Sequence, residues 1–193
     1  MKLKTGLYAI TLVLIAGMLF FSCKKDKTED TKKNQVTYNG TGHPLDKGVI
    51  VHWQFKAEGH ATTLVFVSPE GTFHTTGTSF DSITGTNGTG LAIALYSSDS
   101  VNLAEGTYTY DTTGNNTAGT FVRASMVLNY NFGTDDGTEV LGFGGAVTVK
   151  KVGTDYEITY SGADETGKVI ELYYKGILKD YINISKKAKT WGL

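Results

Sequence analysis

The side chains in this 193-residue chain that could do chemistry are four histidines, one cysteine and several acids. His52 points outward from one extended run, and His60 and His74 flank the next hairpin, so with His43 they could converge on a metal. None sits at the short His or Cys spacing that zinc sites use, and scattered surface histidines are the simpler reading. Asp135, Asp136 and Glu139 could offer oxygens to calcium, but the run lacks the EF-hand loop pattern and reads more simply as an acidic hairpin turn. Glu157 and Glu171 lie on runs expected to pair, both opposite the apolar face. Glycoside hydrolysis needs two carboxylates about 5–9.5 Å apart around a cleft, and solvent-facing charge on a half-buried sheet predicts the same residues. Gly-Xaa-Ser-Xaa-Gly, His-Glu-Xaa-Xaa-His and P-loop patterns do not occur. The expectation is a non-enzyme with no cofactor and no metal. Tyr173 and Trp191 fall outside the main apolar faces, and flat rings can stack on sugars, which makes them the candidate ligand-stacking aromatics.

The elements that must carry these residues read as strands. Glycine is abundant (24 residues), proline is limited to Pro44 and Pro69, and Thr, Val and Tyr fill short alternating runs between turn residues, which is an all-β signature. Gln35 to Tyr38 is a first edge strand. In the next run, Gly48 to Lys56, Val49, Val51, Trp53 and Phe55 share a face. Thr62 to Ser68 follows, and Ser68-Pro69-Glu70-Gly71 is a tight turn that returns the chain through Thr72 to Thr75. Thr76 to Gly90 reads as a loop with a short strand around Ser79 to Ile83. Leu91 to Tyr96 is apolar on both sides, as for a strand covered on both faces, and Gly106 to Tyr110 is another short strand. In Thr120 to Phe132, the residues Val122, Ala124, Met126, Leu128, Tyr130 and Phe132 alternate onto one face. The thirteen residues of this run, at about 3.3 Å per step, span about 40 Å, as wide as the domain itself, so this strand must bend or bulge.

Asp135-Asp136-Gly137 is a hairpin turn signal. It leads into Val140 to Val152, where Phe143, Val147 and Val149 share a face and Gly142, Gly144 and Gly145 mark a bend or bulge. Asp155 to Ser161 and Lys168 to Leu178 continue a meander, and Tyr181 to Ile184 is a last edge strand. The expected fold is all-β: an antiparallel meander of about nine or ten strands forming a β-sandwich or flattened barrel, after an N-terminal signal helix.

The N-terminus supplies an address. Lys2 and Lys4 precede an apolar run from Leu7 to Phe21, too short for an ordinary membrane span and suited to the hydrophobic region of a signal peptide. Leu19-Phe20-Phe21-Ser22-Cys23 resembles the lipobox of bacterial lipoproteins, although Phe20 stands where that family usually has Leu, Val or Ile. The resemblance implies cleavage by signal peptidase II before Cys23 and diacylglycerol on its sulfur, usually with a third chain on its amine. At about 0.8 kcal/mol per buried CH₂, two or three chains hold far better than one. The Ser-Cys-Lys-Lys-Asp junction and the Tyr/Gly-rich hairpins look like those of small envelope lipoproteins of Bacteroidota. Asp81-Ser82-Ile83, Asp99-Ser100-Val101 and Asp111-Thr112-Thr113 each resemble the short O-glycosylation motif of that group, in or beside expected loops. Lys24 after the cysteine is compatible with outer-membrane sorting as it operates in other bacterial groups.

These readings divide the chain into a signal peptide (1–22), a lipidated cysteine and polar tether (23–33), a single β domain (34–185) and a basic tail (186–193). Residues 34–193 hold 11 bases against 16 acids, which argues against nucleic acid as a partner. With one cysteine, no disulfide forms within the chain and the core alone must hold the domain. The functional expectation is a lipid-anchored envelope protein with the membrane as one partner and a glycan or an envelope protein as the other. A structural component of the envelope and a carrier of an apolar ligand in a barrel cavity are the alternatives.

Overall fold

A computed structural model of the chain describes residues 32–53 and 60–183. Cys23, Phe55, Trp191 and the basic tail lie outside the described residues, as does the expected signal helix. Among the described residues there is no helix and there are thirteen strands: β1 (Gln35–Tyr38), β2 (Thr41–Pro44), β3 (Lys47–Trp53), β4 (His60–Val67), β5 (Thr72–Thr76), β6 (Ser79–Thr84), β7 (Gly88–Ser97), β8 (Gly106–Tyr110), β9 (Thr120–Asn131), β10 (Asp136–Val152), β11 (Asp155–Ala163), β12 (Val169–Gly176) and β13 (Leu178–Asn183). They form one sheet in the order β2-β1-β12-β11-β10-β8-β9-β7-β4-β3-β13-β6-β5, with β10 also paired to β9.

The all-β expectation holds, and the later hairpins β9–β10, β10–β11 and β11–β12 are the expected antiparallel neighbours. Three features correct the sequence reading. There are thirteen strands rather than nine or ten, partly because Asn39 (φ 48°) and Gly40 (φ 81°) make a two-residue turn that folds β2 back on β1. Both central residues have positive φ, the conformation Asn-Gly favours in a hairpin. The sheet is mixed rather than antiparallel, since β13 runs parallel to β3 and β6, and β8 parallel to β9. It also does not close into a barrel, because its hydrogen-bonded order ends at β2 and β5. The expected last edge strand is therefore an interior one, with β13 inserted between β3 and β6.

The sheet curls until its inner face packs on itself. Phe66 of β4 meets Tyr174 of β12 with ring centroids 4.8 Å apart, and Phe121 of β9 meets Tyr160 of β11 at 5.6 Å. Ile50, Leu64, Leu91, Ile93, Met126, Ile158 and Ile170 fill the space between them. Full burial of each such side chain contributes about 1.5–3 kcal/mol. A second cluster lies on the opposite face of β3, β4 and β7, where Val49, Val51, Val65, Val67 and Ala92 are covered by Phe73 of β5, Phe80 and Ile83 of β6, and Tyr181 of β13. Leu91, Ala92, Ile93 and Leu95 are consequently buried, on both sides of β7, as their apolar run required.

Strand β9 bulges as its length demanded, and the bulges redistribute its side chains. Pairing with β7 shifts between Gly88 and Gly90 and between Ala94 and Leu95, and each shift adds one residue on β9. The extra residue at the first is Asn129, with φ 49°. A single inserted residue inverts the alternation beyond it. Tyr130 and Phe132 thus join Val127 in the second cluster, and Phe121 replaces Val122 in the main core. The single apolar face read from Val122 to Phe132 is in fact divided between two cores.

Candidate functional site

Strand β10 positions the site. Its 17 residues would span about 56 Å if straight, well beyond the width of the domain. The strand yields at Gly144 (φ 66°) and Gly145 (φ 76°), where its register against β11 shifts between Phe143 and Ala146. A Cβ on Gly145 would collide with the Ser161 carbonyl, so the bulge requires glycine there. Before the bulge, β10 pairs with β9 from Asp136 to Gly142. After it, β10 pairs with β11 on one side and β8 on the other. From Thr138 to Gly142 the flank of β10 that faces away from β9 therefore has no strand partner among the described residues.

That open flank borders a groove of about 450 Å³ lined by Tyr38 of β1, Thr138 to Leu141 and Phe143 of β10, and Asp164, Glu165, Thr166 and Lys168 of the β11–β12 turn. Leu141 and Phe143 are each 38% exposed, whereas Val140 and Gly142, which alternate with them, are buried. The alternation places Phe143 on the face of Val147 and Val149, but the glycine bulge inserts one extra residue on β10, three positions against two on β11, and so turns Phe143 outward.

The polar wall is held rigidly. Tyr38 Oη donates to Asp164 Oδ2 at 2.7 Å. Asp164 Oδ1 accepts from Thr166 N at 2.8 Å, Thr166 Oγ1 at 2.7 Å and Lys168 N at 2.9 Å. The Tyr38 hydroxyl, aided by the Thr166 and Lys168 donors, holds the Asp164 carboxyl well below its ordinary range, and the same bond raises the Tyr38 phenol. Lys168 Nζ stands 5.8 Å from the centroid of the Tyr38 ring. Glu139 is fixed on the other wall, where it accepts from Ser125 Oγ at 2.8 Å. Three acids, Glu139, Asp164 and Glu165, thus face one base, Lys168.

Behind Gly142 lies a buried phenol. A Cβ on Gly142 would stand 2.8 Å from Tyr160 Oη and 3.0 Å from Ile170 Cδ1. Among the described residues the Tyr160 hydroxyl has no hydrogen-bond partner, and burial, with a smaller push from Tyr110, raises its pKa to about 12.

The residues singled out from sequence do not assemble into this site. Tyr173 is half-buried on β12 between Gln35 and Thr159, with Lys32 Nζ 5.2 Å from its ring centroid. The histidines are dispersed. His43 lies on β2, His52 Nε2 is 2.9 Å from Asp180 Oδ1, His60 opens β4, and His74 Nε2 is 2.7 Å from Thr84 Oγ1. Among the described residues no three His, Cys, Asp or Glu side chains converge. Glu157 and Glu171 sit on paired strands as expected, but Glu157 is opposite Lys175 and Glu171 opposite Ser161. The offset of four residues separates their positions by about 13 Å along the strand, beyond the range for glycoside hydrolysis. Of the acidic hairpin, Asp135 takes φ 55° in the turn and Glu139 lines the groove.

Asp111 and Asp99 each accept from the backbone N–H two residues on, and Asp111 also accepts from Thr113 Oγ1, Gly114 N and Asn116 N. These bonds, the Thr113 hydroxyl foremost, hold the Asp111 carboxyl down at about 2. Ser82, expected in or beside a loop, is inside β6 opposite His74.

Sequence reasoning passed over Tyr38, Leu141, Asp164 and Lys168. The available signal was the Gly142-to-Gly145 run, which announced a break in β10 without saying which side chains would be turned out by it. No family model, no curated protein and no solved structure matches this chain.

Proposed function

We propose that the chain is a non-catalytic binding module of the cell envelope, held at the outer membrane by lipid on Cys23, and that it takes its ligand or partner in the groove beside β10. The observation that carries this reading is the pair Leu141 and Phe143, large apolar side chains left on the surface next to a concave space walled by fixed polar groups. Its volume falls within the range of ligand sites, which combine apolar lining with a few oriented polar groups. Binding on the outer surface also suits a curled sheet whose interior is occupied by large side chains such as Phe66, Phe121 and Tyr160. The anchor rests on the lipobox resemblance around Cys23, and a β domain with its own core suits a chain tethered outside the cytoplasm without disulfides.

Thermal melting of the full-length protein with glycans, short peptides and fatty acids tests the groove. A ligand at about 100 times its dissociation constant adds about 2.7 kcal/mol, a shift of several degrees for a domain of this size. The expected result is a shift with one ligand class that disappears in Leu141→Ser and Phe143→Ser. A shift that both variants retain would place binding elsewhere and remove the groove from the proposal.

A further inference from the structure

We infer that the groove takes an extended peptide, basic and apolar in alternation, which adds to the sheet as a strand along the free flank of β10. The inference rests on the groove reading above and names its occupant. From Thr138 to Gly142, β10 is hydrogen-bonded to β9 on one side, while its pairing to β11 starts only at Phe143. In a β-strand, backbone N–H and C=O groups project to both flanks, so a half-paired strand presents a row of donors and acceptors. Extended peptides satisfy such a row by strand addition, and their alternate side chains supply specificity.

The sheet's other edges are poor templates by comparison. β2 is four residues long and ends in Pro44, and β5 presents Thr72, His74, Thr75 and Thr76. Proline, shortness and polar side chains are the ordinary protections of an edge. The β10 flank is also short and includes Thr138 and Glu139, but it has no proline and is more apolar. It carries Val140 and Leu141, and Phe143 stands at its end. The walls state the charge of the guest: Glu139, Asp164 and Glu165 against Lys168. Asp164 remains ionised because Tyr38, Thr166 and Lys168 all donate to it. A strand that places apolar side chains on the face of Leu141 and Phe143 and cationic ones toward Asp164 and Glu165 of the turn matches both features.

The test uses full-length protein in detergent micelles and a fluorescein-labelled Lys-Val-Lys-Val-Lys-Val peptide, read by fluorescence polarisation. Two further peptides carry N-methyl groups either on all the Lys or on all the Val residues, which removes the N–H donors from one edge of the strand or from the other. The expected result is that one methylated peptide binds at least tenfold more weakly than the parent while the other is unchanged, because only one edge of an added strand meets β10. A Glu-Val-Glu-Val-Glu-Val peptide, Glu165→Lys and Phe143→Ser should each weaken binding at least several-fold. If both methylated peptides bind like the parent while Phe143→Ser still weakens binding, the groove stands and strand addition is overturned. If Phe143→Ser has no effect, the peptide binds elsewhere and both readings fall. If no peptide binds but a ligand of another class gives a melting shift sensitive to Leu141→Ser, only the peptide assignment is lost. A dimer by light scattering that Leu141→Lys dissociates would name a second copy of the chain as the occupant and overturn the inference.

Discussion

Tyr160 is the residue whose chemistry and surroundings agree least. Its ring packs edge-on against Phe121 in the main core, yet its hydroxyl has no partner among the described residues. An unsatisfied buried hydroxyl costs about 1–3 kcal/mol, and removing it without altering the packing is neutral or stabilising. Tyr160→Phe should therefore raise stability by about 1 kcal/mol in urea unfolding near neutral pH. The alkaline limb should change as well. The folded state holds this phenol neutral up to about 12, above its ordinary value of 10.0. The resulting stability is present below pH 10 and is lost as pH rises from there through about 12. Tyr160→Phe should thus lose less stability than the wild type over the lower part of that window, from about pH 10 to about pH 11. A variant less stable at neutral pH would mean that the hydroxyl is bonded in solution. No pattern in the sequence marked Tyr160, because Tyr156, Ile158 and Tyr160 alternate as ordinary inward residues. The orphaned oxygen arises only where Gly142 and Gly162 close over it.

At the scale of elements, alternation was legible and its interruptions were not. β1, β8 and β11 begin where the sequence placed them, and the Ser68 to Gly71 turn closes with Gly71 N donating to Ser68 O at 3.0 Å. A bulge was foreseen in β9 from its length and in β10 from its glycines. In β10 the glycines marked its place, whereas in β9 its position could not be foreseen, and the exact register of each bulge decides whether Phe143 and Tyr130 face one core, the other or solvent. The two glycines of the β10 bulge should respond differently to substitution. Gly144 has positive φ but open space around its Cβ position, whereas Gly145 has positive φ and the Ser161 carbonyl in the way. Gly144→Ala should cost about 1–2 kcal/mol, the left-handed backbone penalty. Gly145→Ala should cost at least about 1 kcal/mol more, because strand β11 must move. Equal losses in denaturant unfolding would mean that the bulge relaxes freely and does not hold the groove open.

For the whole molecule, the proposed lipid on Cys23 is tested in cells. Cells grown with alkyne palmitate should label the wild-type protein at the membrane, while Cys23→Ala should be unlabelled and released from the membrane fraction after signal cleavage or held as an uncleaved precursor. Label on the Cys23→Ala protein would remove the lipid anchor from the proposal. The fold also brings β1 beside β12 and β13 beside β3, pairings between segments more than a hundred residues apart. One of these puts Tyr38 next to Asp164 and so builds a wall of the groove.

The order of side chains along the chain was enough to establish an all-β domain, most of the runs that become strands, and a core without disulfides. These properties are local, since alternation, turn residues and hydrophobic runs act over a few neighbouring positions. The tertiary structure alone decided which strands pair, that β13 enters the sheet in parallel, where β9 bulges, and which side chains the β10 bulge turns out. It thereby decided which residues form the groove. A strand's sequence specifies its buried face but not its partner, and one inserted residue exchanges the two faces beyond it. The site depends on those two choices, and both are made by the packing of the whole sheet.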